Sequence, residues 1–298
     1  MSSIPTYDTS GFRNRFMPLP EIDALLHPDP ARFFIVRIED MFPHVRLPVP
    51  PMRSLSHSCL FVTSGEAIMQ IGGDRYTAAA GQLLFVPAGQ VFSFGTPDVN
   101  TGYLLHFHPD ILSVRFGASA GDFPFLGPGD NLLIRPEEPA WIEPLLVRLL
   151  DLYTRTGLQS LSLIRSYLMT FLYEAARYRD QEESLLPPTA AQLLTRRFKA
   201  LLHKHIREEH RVSAYAGKLN VTPNHLQKAV REASGESPTK WIDRTLLLEA
   251  KVLLYQTSLP VSEIAAEIGF SDPSYFTRMF RKYEGVTPLV FRKKMEKS

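Results

Sequence analysis

The chain holds one cysteine, Cys59, in 298 residues. A single thiol excludes an internal disulfide and any zinc site built from several cysteines. It also fits reducing, intracellular conditions. Long apolar runs are missing too, and no stretch is long enough to span a bilayer. The first residues, MSSIPTYDTSGFRNRF, carry no apolar centre of a signal peptide. The expected location is therefore the cytoplasm, with no membrane partner. Lysine is absent before Lys199, and all ten lysines lie there or beyond. From Ala190 onward 19 Lys+Arg stand against 11 Asp+Glu, a balance of +8; the other 14 and 20 give −6, and the sum is the chain's +2. A basic end beside an acidic end points to a polyanion partner for the C-terminal part, although a solvated surface alone would show the same charge.

What is present is ordinary for a globular protein: 44% hydrophobic and 21% charged residues. The length suits two domains of about 100–200 residues each. Residues 55–108 read as β, with short apolar runs (SCLFVTSG, EAIMQIGG, GQLLFVPAG, TGYLLHFH) punctuated by Gly, Pro and Asp. Gly72-Gly73-Asp74 has the form of a hairpin turn. Such evenly spaced strands predict a sandwich or small barrel. Over 137–180 the period becomes helical: Trp141, Leu145, Leu149 and Leu152, then Leu161, Ile164, Leu168, Phe171 and Leu172, with a break near Thr156-Gly157. RDQEESLLPPTAAQ, Arg179 to Gln192, reads as a linker. Everything after it reads as helix.

Two stretches of the helical part are copies of one another. Val212-Ser213 matches Val261-Ser262, Ala216 matches Ala265, Leu219 matches Ile268 and Val221 matches Phe270, at an offset of 49. After one extra residue the offset is 50: Pro223 matches Pro273, Leu226 Phe276, Val230 Phe280, Gly235 Gly285, Pro238 Pro288 and Trp241 Phe291. Ser213 and Ser262 are expected to cap the first helix of each copy. Asn220 and Gly269, the residue types most tolerant of positive φ, fall at a sharp turn. Thr222-Pro223 and Asp272-Pro273 restart a helix with a cap and a first-turn proline, as Ser237-Pro238 and Thr287-Pro288 do for the helix after it. The result is a helix-turn-helix present twice.

The second helix of each copy has two faces. Leu226, Ala229, Val230 and Ala233, like Phe276, Met279, Phe280 and Tyr283, form an apolar stripe and read as core. The opposite stripe holds Asn224, Gln227, Lys228 and Arg231 in one copy, and Ser274, Thr277, Arg278 and Arg281 in the other. All eight form hydrogen bonds and none is a carboxylate, which is the chemistry of base edges and phosphates. One such helix could be an ordinary wet face; two matched helices point to DNA reading from their N-terminal turns.

The segments ALLHKHIREEHRVSAYAGKLNVTPNHLQKAVREASGESPTKWI and LPVSEIAAEIGFSDPSYFTRMFRKYEGVTPLVFR closely resemble the DNA-binding domain of AraC/XylS-type transcriptional regulators, over about the last hundred residues. The resemblance implies two units joined by a long helix, about Thr239 to Gln256, whose recognition helices enter successive major-groove segments on one DNA face. It places base-contacting positions at Asn224, Gln227, Lys228, Ser274, Thr277 and Arg278. A weaker resemblance, over about residues 30–110, relates FVTSGEAIMQIGGDRYTAAAGQLLFVPAG to the cupin-like sensor domain of many such regulators. The usual cupin metal set is absent: His57 stands between two serines, and no histidine lies near Val91-Phe92. His106 and His108 form a His-x-His that would face one way on a strand, but no carboxylate stands at useful spacing. No metal and no cofactor is expected. Cys59 reads as a buried, inert thiol.

The fold class expected is α+β: an N-terminal cupin-like β-barrel with two helices, followed by an all-α domain of two helix-turn-helix units joined by a long helix. Residues 1–180 are expected to sense and dimerise, 181–192 to link, and 193–298 to bind DNA. Phe61, Met69, Phe85, Phe92, Phe94 and Tyr103 are the candidate pocket-lining residues, unless they simply fill the barrel. The expected partners are double-stranded DNA, a small-molecule effector, a second copy of the chain and RNA polymerase, and the family leans towards activation. No catalytic residue is expected. The rival readings are a cupin-type enzyme with a helical tail and an effector-independent DNA-binding dimer.

Overall fold

The computed structural model describes residue 16 and residues 21–95, 100–112, 123–127, 132–136, 139–185 and 187–295; for residues 21, 24 and 180–185 it describes the backbone alone. Residues 1–15, read above for a signal peptide, lie outside this set. The chain divides into two compact units that part between Pro187 and Pro188.

The first unit opens with α1 (Glu21–Leu25), β1 (Phe33–Arg37) and a short α2 (Ile38–Met41). Then follow β2 (Val49–Arg53), β3 (His57–Ser64), β4 (Glu66–Ile71), β5 (Asp74–Ala79), β6 (Leu83–Val86), β7 (Val91–Phe94), β8 (Thr101–Phe107) and β9 (Leu133–Ile134). These strands form two antiparallel sheets, ordered β1-β8-β3-β6-β9 and β2-β7-β4-β5. Among the described residues no hydrogen-bonded strand pair joins the sheets. The β part is thus a two-sheet arrangement, not a closed barrel. The β4–β5 hairpin pairs Ile71 with Asp74 across Gly72 and Gly73, at φ 59° and 98°. Positive φ at both central residues gives the turn the twist its strands need.

The five-stranded sheet is covered on both faces, so its central strands read as apolar runs without alternation. Leu60, Val62, Leu84 and Val86 meet Ala67, Met69, Ile71 and Ala78 of the other sheet in one core. The opposite face meets α3 (Ile142–Thr156) and α4 (Leu161–Leu185). There the Phe33 ring lies 5.6 Å from Tyr153 and Phe85 lies 6.3 Å from Phe171. The α3 face differs from the expected one. Ile142, Leu146, Leu149, Leu152 and Tyr153 are buried, whereas Trp141 is 68% exposed and Leu145 half-buried. A 3₁₀ turn, Pro139–Trp141, precedes the helix, which leaves Trp141 outside the helical register. In α4 the buried residues Ile164, Leu168, Phe171 and Leu172 match the spacing.

The second unit is all helix: α5 (Ala190–His205), α6 (Val212–Lys218), α7 (Pro223–Ser234), α8 (Pro238–Gln256), α9 (Val261–Glu267), α10 (Pro273–Glu284) and α11 (Pro288–Met295). The irregular stretch before it is shorter than the composition suggests, because α4 runs to Leu185 and α5 starts at Ala190. A reciprocal cap explains the start. Thr189 Oγ1 accepts the Gln192 N–H at 3.2 Å, and Gln192 Oε1 accepts the Thr189 N–H at 2.8 Å. Leu194, Phe198, Tyr215, Leu226, Val230, Leu246, Leu253, Ile264, Phe276 and Phe280 belong to one continuous core. Both helix pairs therefore pack on a single apolar interior, with α8 running between them.

Candidate nucleic-acid interface

Each copy turns in the same way. The Val221 N–H bonds to the Ala216 carbonyl at 3.0 Å, and the Phe270 N–H to the Ala265 carbonyl at 2.9 Å. Asn220 and Gly269 sit between these partners at φ 56° and 88°, so the turn residues read from sequence occupy the left-handed conformation. Small side chains are needed beneath the turn, and Ala216 and Ala265 are fully buried.

The second helix of each copy then starts as expected. Thr222 Oγ1 accepts the His225 N–H at 3.2 Å, and Asp272 Oδ1 accepts the Ser274 N–H at 2.8 Å. Ser237 and Thr287 cap α8 and α11, accepting from Lys240 N at 3.3 Å and Val290 N at 3.4 Å. Ser213 and Ser262 do not cap. Arg211 and Pro260 hold those positions, with no side-chain cap bond, because each first helix begins one residue before its serine.

On α7 the buried stripe is Leu226, Ala229 and Val230, and on α10 it is Phe276, Met279 and Phe280. The last turn of α10 is tied to α8, where the Tyr283 hydroxyl donates to Asp243 Oδ2 at 2.5 Å. That bond, with burial behind it, pushes the phenol up to about 12. The opposite faces lie open. Asn224, Gln227, Lys228, Arg231, Ser274, Arg278 and Arg281 are exposed, and Thr277 is half-buried. Arg278 is loosely held: its Nη2 lies 3.7 Å from Asp272 Oδ2 and its guanidinium 5.9 Å from the Tyr275 ring. Both partners are well exposed, so the pair contributes little to stability and leaves the guanidinium available. Tyr275, 55% exposed, and His225 at the matched place of α7 flank these faces. Neither belongs to the polar or the apolar stripe of the sequence, since each lies between the polar face and the core.

In the first unit the six candidate pocket residues do not line one space. Met69, Phe92 and Phe94 belong to the core between the sheets. Phe61, Phe85 and Tyr103, buried, are on the other face of the five-stranded sheet, where Phe61 pairs with Tyr103 across β3 and β8. Alternation along a strand separates the two sets, and burial on both faces hides it from composition. An open groove of about 970 Å³ runs between β3 and α3, lined by Phe61, Thr63, Pro139, Glu143, Val147 and Arg148 among others; Phe61 alone of the six candidates lines it.

The histidines are used for packing. His106 is buried in β8, stacked on Phe34 at 4.8 Å, with Nδ1 2.9 Å from Ser58 Oγ. Burial, reinforced by His57 and His108, pulls it down to about 3. His57 Nδ1 accepts the Ala88 N–H at 2.9 Å, and burial, then His108, lowers it to about 4. His108 lies past the end of β8 and caps a 3₁₀ turn, accepting from Asp110 N at 3.3 Å. Among the described residues no three His, Cys, Asp or Glu side chains stand together as metal ligands. Cys59 is buried, and desolvation raises its thiol well above the ordinary value.

Residues 215–294 match the family model of a helix-turn-helix domain. The chain is 26% identical over 235 residues to the arabinose operon regulatory protein of Salmonella typhimurium, covering 76% of this chain and 80% of that protein. The chain is thus similar to AraC-type transcriptional regulators. It is also 26% identical over 122 residues to the uncharacterized HTH-type transcriptional regulator YisR of Bacillus subtilis, where the match covers 41% of this chain and 42% of that protein. Among solved structures it is similar to ToxT of Vibrio cholerae, at 15% identity and a TM-score of 0.42, over 89% of this chain and 97% of that one. Within the stretch that includes the matched helix-turn-helix domain, α7 and α10 are the second helices of the two helix-turn-helix units. No helix of the described residues is long and apolar enough to cross a membrane.

Proposed function

We propose that this regulator reads two adjacent major-groove segments of one double helix, with α7 in one and α10 in the other. The observation that carries the reading is the pair of matched polar faces, both open to solvent on a shared core. Asn224, Gln227 and Lys228 are the base readers of the first segment; Ser274, Thr277 and Arg278 are those of the second. Arg231 and Arg281, two turns further along, suit phosphates. The N-terminal unit, residues 1–180, is the cupin-like sensing and dimerising part, followed by a linker at 181–192 and the DNA-binding part at 193–298. A small effector bound there shifts which DNA sites a homodimer can occupy, and the outcome is activation through RNA polymerase in the cytoplasm. No catalysis, cofactor or metal enters this reading.

Crosslinking the protein to DNA in cells and sequencing the protected fragments tests it. Discrete upstream sites sharing a bipartite motif are expected. Uniform recovery of the genome would contradict sequence-specific regulation. Thermal stability of the purified protein against metabolite pools tests the effector: a shift confined to one fraction supports sensing, and no shift in any fraction favours a dimer without an effector.

A further inference from the structure

The corner between α5 and α6 touches both helix-turn-helix units and the helix between them. Its own shape is held locally. Glu209 Oε1 accepts the His210 N–H at 3.1 Å, the Arg211 N–H at 2.9 Å and the Arg211 guanidinium at 3.3 Å. The Arg211 N–H, more than the other partners, draws this carboxylate below its ordinary pKa. The Tyr215 hydroxyl of α6 donates to the Glu209 carbonyl at 2.8 Å, which fastens the corner to the first unit. Arg207 reaches α8, where its Nη2 lies 3.1 Å from Oε2 of the buried Glu249. His210 reaches the second unit. Its Nε2 lies 3.0 Å from the Ile268 carbonyl, and its ring centroid 5.0 Å from that of Phe270. Between those two residues stands Gly269, packed so closely that a Cβ on it would meet the Arg207 carbonyl oxygen at 2.2 Å and His210 Nε2 at 3.0 Å.

We infer that this corner is a brace that sets the separation of the two recognition helices, and that His210 is a positioning residue for the spacing of the DNA segments read. The inference rests on the two-segment reading above. One base pair moves a target by about 3.4 Å along the axis and by about a tenth of a turn around it. A hydrogen bond of 3.0 Å does not survive such a shift. With the brace in place the second unit cannot follow a changed spacing. Without it, the second unit is still joined to α8 through the shared core, and its turn keeps only the backbone approach of Gly269 to Arg207. The side chains that name the bases are untouched by the change, so the motifs stay and their separation loosens.

The test is selection of bound duplexes from a random-sequence DNA library by the purified full-length protein. Wild type is expected to return two motifs at one separation, with a penalty of roughly tenfold in affinity for a one-base-pair insertion. His210→Ala is expected to return the same motifs at several separations, with the penalty reduced to about threefold or less. His210→Gln, which can restore the bond to the Ile268 carbonyl, should recover most of the penalty. If the alanine variant does not fold, His210→Phe keeps the ring contact, loses the hydrogen bond and serves in its place. A folded variant that loses thermal stability but keeps the single separation and the full penalty would overturn the inference. A wild-type selection with only one motif would instead defeat the two-segment reading itself.

Discussion

Gly269 and Arg207 are in contact through the backbone: the place of a Cβ on Gly269 lies 2.2 Å from the Arg207 carbonyl oxygen. Glycine is therefore required there twice over, by φ of 88° and by this approach. Gly269→Ala is expected to cost about 2–4 kcal/mol, more than the roughly 1–2 kcal/mol of positive φ alone. Asn220→Gly, at φ 56° in the other copy, should change stability by only a few tenths. Thermal or urea unfolding of the two variants checks the contrast. Equal, small effects would show that the approach to Arg207 is not maintained in solution.

Arg278 lies on the exposed face of α10 with only a loose partner in Asp272. Arg278→Ala is expected to weaken binding to a selected site by about 1–3 kcal/mol and to relax preference at one base position. Arg281→Ala, read as a phosphate contact, should weaken all sequences alike and lower the salt slope by about one. Fluorescence anisotropy on single-base variants of the site, at several salt concentrations, separates the two behaviours.

His57 and His106 are held near 4 and 3 in the folded chain, against 6.5 for a free imidazole. As pH falls below 6.5 the unfolded chain takes up protons that the folded one refuses, so stability is lost from about 6.5 downward until the folded values are passed. Between pH 7 and pH 4 the loss is expected to be of order 2 kcal/mol or more. Unfolding measured across that range should show it. His106→Gln, with no titrating group at that site, should flatten part of the slope. A slope unchanged by this substitution would mean that His106 is hydrated and protonates freely.

Arg292 joins the end of α8 to the loop that follows. Its Nε donates to the Leu254 carbonyl at 3.1 Å and its Nη2 to the Leu259 carbonyl at 2.7 Å. The matched residue of the first copy is Ile242, so the copies differ here. Arg292→Leu removes both donors and is expected to cost about 2–3 kcal/mol, with Arg292→Lys recovering part of it. Hydrogen exchange should show the loss at Thr257 and Leu259 first.

Much of the DNA-binding unit was legible from residue types. The duplication, Asn220 and Gly269 at the turns, Thr222 and Asp272 as caps, and the open polar faces all follow from local rules, and local contacts realise them. Ser213 and Ser262 do not cap because each helix starts one residue earlier, behind Arg211 and Pro260, which make no side-chain cap bond, and no periodicity fixes a helix start to within two residues. Trp141 marked an apolar face that in fact begins at Ile142, since a 3₁₀ turn shifts the register. The pocket candidates scattered because Phe61 and Phe85 lie on the opposite sheet face from Met69, and a strand buried on both sides shows no alternation. His210 was invisible for a different reason: its partner carbonyl is 58 residues away, and no local pattern joins them.

Protection of guanine N7 from methylation by the bound full-length protein, on a site recovered by selection, bears most directly on the proposed reading. Two protected major-groove clusters are expected on one face of the duplex, about one turn or ~34 Å apart. Arg278→Ala should release guanines in one cluster only. A single cluster, or protection that does not depend on sequence, would contradict it.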